Sequence, residues 1–147
     1  MKKLNFLVVI VVLVLAGCGN PAGGGEGINP NTALLGKWKG PLIISGSLSY
    51  YEIWIQNADG STITSFEIVT GTHHGLSSGT YDLYTGTYTL EFPVPGDPLQ
   101  VDMITIFTEV HPNLSHVVLP ININLRIEMI TATQFKVVNS GNIYNKQ

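Results

Sequence analysis

Few side chains in this sequence are equipped for chemistry: a single cysteine, four histidines and ten scattered carboxylates. Cys18 has no partner for a disulfide within the chain, so its thiol is either free or modified. The histidines come as His73-His74 and as His111 with His116, beside Gly75 and Pro112 in segments that read as loops. Zinc needs three or four converging nitrogen or sulfur ligands. Adjacent histidines on a strand diverge, so a four-histidine cluster requires both loops to lie at one end of the fold; no metal and no cofactor is expected. Gly75-Leu76-Ser77-Ser78-Gly79 fits the Gly-x-Ser-x-Gly spelling of a nucleophile elbow. That chemistry needs a strained strand-to-helix turn in a parallel sheet, and the surrounding sequence offers neither. Glu52, Glu67 and Asp82 fall on different strands with nothing to pair them for acid-base work. Phosphate loops and dinucleotide fingerprints are absent. The chain is expected not to be an enzyme.

The segments that must position these residues begin with Lys2 and Lys3, followed by an apolar run from Phe6 to Ala16. The run is shorter than the ~20 apolar residues that a membrane-spanning helix requires. Charge, then a short apolar stretch, then small residues is the order found in a secretory signal. Leu15-Ala16-Gly17-Cys18 resembles the lipobox of bacterial lipoproteins at all four positions. The resemblance implies a cleaved signal peptide over residues 1–17, and lipid (diacylglyceryl, with palmitate as a typical acyl chain) on Cys18. Each buried methylene contributes about 0.8 kcal/mol, so two or three chains anchor stably where one does not.

Residues 18–31 then read as a lipid-anchored tether, because Gly19–Asn31 is dominated by glycine, asparagine and proline. Its typical span, at ~5–6 Å × √n, is about 20 Å. Without Lys2 and Lys3, 5 basic residues remain against 10 acidic ones, a net charge of −5. With one arginine and no basic run, no nucleic-acid partner is expected on electrostatic grounds, and membrane attachment is left to the lipid alone. The resemblance places the protein in the cell envelope. Gly19 is not the aspartate that retains lipoproteins in an inner membrane, so the expected site is the outer membrane where there are two, and otherwise the outer face of the cell membrane.

Residues 32–147 read as one all-β domain. Apolar and polar residues alternate with a period of two, and turn residues recur about every ten positions. Tyr50–Gln56 and Ser61–Val69 flank Asn57-Ala58-Asp59-Gly60, a hairpin signal. Thr85–Val94 ends in a stretch with three prolines, and Leu99–Val110 follows. Ile121, Ile123, Leu125, Ile127 and Met129 alternate with polar residues, giving one dry and one wet face. Phe135–Asn139 and Ile143–Asn145 form a last hairpin. Such a chain closes as an antiparallel up-and-down barrel of about eight strands, or stacks as a β-sandwich.

Leu35-Gly36-Lys37-Trp38 is similar to the first-strand opening of lipocalins and of short lipocalin-like domains on bacterial lipoproteins. Gly86-Thr87-Tyr88 and the turn from Ile130 to Phe135 resemble later parts of such domains. The resemblance favours the barrel and implies that Trp38 plugs its closed end, with Gly36 as the close-approach position. Two family features are missing: a Thr-Asp-Tyr tripeptide, and a segment able to form the flanking helix. The arginine that covers the plug in that family would have to be Arg126. Ligand-lining candidates are Trp54, Phe66, Tyr88 and Phe92, although Trp54 also reads as ordinary burial. Two roles stay open: a binding module for a small apolar ligand, or a structural or protein-interaction lipoprotein whose barrel is filled by its own side chains. Interior volume separates them.

Overall fold

A computed structural model describes residues 27–92 and 99–147. Cys18, the signal segment, most of the tether and the proline-rich stretch after Phe92 lie outside those residues.

The chain enters through a short helix, α1 (Pro30–Ala33), and continues as eight strands. These are β1 (Gly36–Ser45), β2 (Leu48–Gln56), β3 (Ser61–Thr70), β4 (Gly79–Glu91), β5 (Gln100–Val110), β6 (Ile121–Thr131), β7 (Gln134–Val137) and β8 (Ile143–Lys146). Every sequential pair is antiparallel, and β1 also pairs with β8 through Trp38↔Lys146 and Lys39↔Asn145. The result is a closed up-and-down barrel, which removes both sheet edges and excludes the sandwich.

Alternation sets the inner face, as the sequence of β6 predicts. Ile127 and Met129 are buried, whereas Asn122, Asn124 and Arg126 are exposed. The Asn57–Gly60 turn joins β2 to β3, with the Ser61 amide donating to Asp59 Oδ1 at 2.9 Å. β4 begins at Gly79, well before the expected Thr85. Its middle carries two irregularities, one against β3 between Thr64 and Ser65 and one against β5 between Thr85 and Gly86. A Cβ on Gly86 would lie 2.0 Å from the Ile106 carbonyl oxygen, so only glycine lets β5 approach at that bulge.

The folded body starts earlier than residue 32. Asn29 caps α1, its side-chain oxygen accepting from the Asn31 amide at 3.0 Å, and Pro30 occupies the first turn, where a missing N–H costs nothing. Pro30 is buried and Ile28 packs on the core, so the end of the predicted tether belongs to the barrel. Asn29-Pro30, which reads in sequence as loop punctuation, serves here as a helix start.

Side chains collect in two clusters. One gathers Leu34, Trp38, Trp54, Met129, Phe135 and Tyr144 around the end where β1 begins. The other joins Ile68 and Leu83 to Leu76 and Leu114, which come from the β3–β4 and β5–β6 loops.

Candidate functional site: a cavity between two differently built ends

Trp38 is completely buried and its indole N–H donates to the Leu34 carbonyl at 2.7 Å. The ring packs on Phe135 at a centroid distance of 4.8 Å. Gly36 has φ +111°, and a Cβ there would come within 3.2 Å of Lys146 Cε. A side chain at Gly36 would therefore meet both backbone strain and a neighbour. Trp38 and Gly36 thus have the geometry of a barrel plug and its close-approach position.

The cation at the plug is Lys146, on the side of α1 and away from the cavity. Its ammonium lies 5.3 Å from the Trp38 ring centre and donates to the Ala33 carbonyl at 3.0 Å. Arg126 instead sits on the outer face, where its Nε donates to Asp102 Oδ1 at 2.8 Å across the β5–β6 register. The alternation of β6 dictates this: Arg126 lies between inward-facing Leu125 and Ile127.

Above the plug lies a cavity of about 460 Å³. Trp54 and Phe66 line it, as expected, so the indole of Trp54 faces the interior and not the outside of the barrel. Tyr88 and Phe92 do not line it. Tyr88 packs toward the plugged end, with its hydroxyl donating to the Asn57 carbonyl at 3.1 Å. Phe92 follows the last residue of β4 and is exposed. The wall is completed by Phe107, which the sequence offers as an aromatic able to face inward, by the dry face of β6, and by Tyr84 and Tyr144, which sequence reasoning passed over. Tyr84 shares the parity of Tyr88 but lies one residue before the expected strand start at Thr85, so it fell outside the counted strand. The β6 side chains are legible, since Ile121, Ile123 and Leu125 belong to the clearest alternating run in the chain.

The polar groups of this wall include three on β2, Glu52, the Trp54 indole and Gln56, beside threonines of β3 and β5 and the β7–β8 turn. Glu52 Oε2 accepts from the Tyr144 hydroxyl at 2.7 Å. Burial, and then the Glu52 carboxylate, push the Tyr144 phenol well above its ordinary pKa. Tyr50 is raised in the same way, by desolvation first and Glu52 second. Deeper along the strand, two buried atoms have no hydrogen-bond partner: the Trp54 indole nitrogen and the Gln56 carboxamide oxygen. An unmet buried polar atom costs roughly 1–3 kcal/mol, which a compatible guest could offset.

The opposite end is covered by loops. The β3–β4 loop is pinned by paired backbone bonds between His73 and Leu76, both 2.9 Å. Asn113 Nδ2 donates to the His74 carbonyl at 2.9 Å and ties this loop to the β5–β6 loop. Both histidine-bearing loops therefore lie at one end: the rings of His73 and His74 are 4.4 Å apart, and those of His74 and His116 are 4.8 Å apart. Among the described residues, no group of three or more histidines, cysteines or carboxylates could hold a metal ion. Burial, reinforced by His74, holds the pKa of His73 below the ordinary histidine value. Ser77 is exposed in the same loop and leads into antiparallel β4 instead of a helix. Beside these loops the cavity wall reaches the β7–β8 turn, where Asn139 and Ser140 are exposed, so this side forms its mouth.

Comparison with protein-family models, with curated proteins and with solved structures found no match.

Proposed function

We propose that this chain is a lipid-anchored, lipocalin-like binding module of the cell envelope, and that its barrel carries a small apolar or amphipathic ligand without transforming it. The observation that carries this reading is the interior cavity of about 460 Å³, walled largely by aromatic and aliphatic side chains. Small-molecule sites are typically clefts of ~300–1,000 Å³ with a few placed polar groups, and this interior falls in that range. An eight-stranded barrel can also be filled completely by its own side chains. Thr62, Thr64 and Thr105 leave space where Leu or Phe would have occupied it, which favours the binding role over a purely structural one. The anchor belongs to the same proposal and rests on the Leu15–Cys18 motif.

Titration with the neutral fluorophore N-phenyl-1-naphthylamine tests the cavity. One saturable site per chain is expected, and Thr105→Phe, which fills the interior, should weaken binding at least about tenfold. Absent or non-saturating fluorescence would remove the binding role and leave the filled structural barrel. Labelled palmitate tests the anchor: Cys18→Ser should lose both the label and membrane partitioning.

A further inference from the structure

Among the described residues, Glu52 is the sole carboxylate in the cavity wall, and no lysine, arginine or histidine lines it. The lysines and the arginine with ion-pair partners are engaged elsewhere: Lys39 with Glu67, Arg126 with Asp102 and Lys136 with Glu128. Lys146 is held at the plug by the Ala33 carbonyl. Among the described residues, Glu52 therefore faces the cavity with no cation beside it. Its one neutral partner is the Tyr144 hydroxyl, which leaves the other carboxylate oxygen to meet a guest.

A carboxylate in an apolar, aromatic chamber selects by sign. A second carboxylate brought beside it meets like-charge repulsion among apolar walls. A protonated amine gains an ion pair with Glu52, beside the aromatic wall that Trp54 and Tyr144 contribute to the cavity. Resting on the ligand-carrier reading above, we infer that the cavity is built for an apolar molecule with a positively charged amine head, and that it discriminates against fatty-acid anions. Glu52 receives the head, while the β6 face and Phe107 enclose the apolar body.

The test holds the tail constant and changes only the head. Octylamine, octanol and octanoate are each used to displace N-phenyl-1-naphthylamine from the purified protein at neutral pH. Octylamine should compete best, octanol should be intermediate, and octanoate should be at least about tenfold weaker than octylamine. Glu52→Gln should collapse that ratio toward one. Glu67→Gln removes an equal charge from the outer face, beside Lys39, and should leave the ratio unchanged. Octanoate competing as well as octylamine in the unaltered protein overturns the inference but keeps the carrier, and so does a ratio indifferent to Glu52→Gln. Failure of the naphthylamine itself to bind removes the carrier and the inference together.

Discussion

At the Trp38 end, the barrel is closed by side chains that project from strands and from α1, each held by the backbone ladder around it. Trp38, Phe135 and Tyr144 form a continuous aromatic layer there, and Phe135 and Tyr144 stack at 5.0 Å. At the opposite end, Leu76 and Leu114 hang from loops that are joined by a side-chain amide of Asn113 and by the His74–His116 ring contact. Both ends bury leucines almost completely, so burial alone does not distinguish them. What differs is how much backbone must move to expose the same apolar area. Displacing Trp38 breaks strand pairing, whereas displacing Leu114 needs only a loop to lift. Local opening should therefore be cheaper at the loop end, which makes that end the route to the cavity.

The largest expected difference is in stability. Trp38→Ala should cost about 3–5 kcal/mol, and Leu114→Ala about 2 kcal/mol, because loops collapse into a void more readily than strands. Urea denaturation midpoints measure both, and equal losses would break the contrast between the ends.

Alkaline stability should show a smaller effect tied to the sealed side. The folded pKa of Tyr144 is raised, so the folded state holds its phenolic proton more tightly than the unfolded chain does. The stabilisation is complete below the unfolded value of about 10, and is lost as pH rises above it. Tyr50 and Tyr88 are shifted in the same direction, so part of the alkaline loss will persist without Tyr144. Urea midpoints followed between about pH 9 and 11 should fall less steeply in Tyr144→Phe.

The smallest effect belongs to the loops. The pKa of His73 is depressed, so its contribution is present above the unfolded value of about 6.5 and is lost as pH falls through the folded value. Amide protection factors in residues 71–78 should fall on acidification below about pH 6, while those around Trp38 stay unchanged. His73→Gln should abolish the pH dependence. Acid-sensitive protection at Trp38 would show that the ends are not independent.

The plugged end was legible in the sequence, and much of the mouth was not. Gly36 and Trp38 lie in one short segment, and the β6 alternation exposes its inner face directly. Lys146 could not be identified as the cation over Trp38, because only barrel closure brings residue 146 beside residue 38. Period-two counting did place Trp54 and Glu52 on one face of β2, but it could not say whether that face was inward. Tyr84 was missed because β4 begins at Gly79 and not at the expected Thr85, although Tyr84 and Tyr88 share one parity. Tyr88 points inward as its parity requires, yet it falls below the cavity, a matter of depth that alternation does not encode.

Two tryptophans give the most direct test of the hollow interior, since Trp54 lines the cavity and Trp38 belongs to the plug. Trp38→Phe and Trp54→Phe each leave one reporter for titration with octylamine. The account predicts a saturable change in emission when Trp54 remains and none when Trp38 remains. Equal responses from the two, or silence from Trp54 while the amine binds, would contradict it.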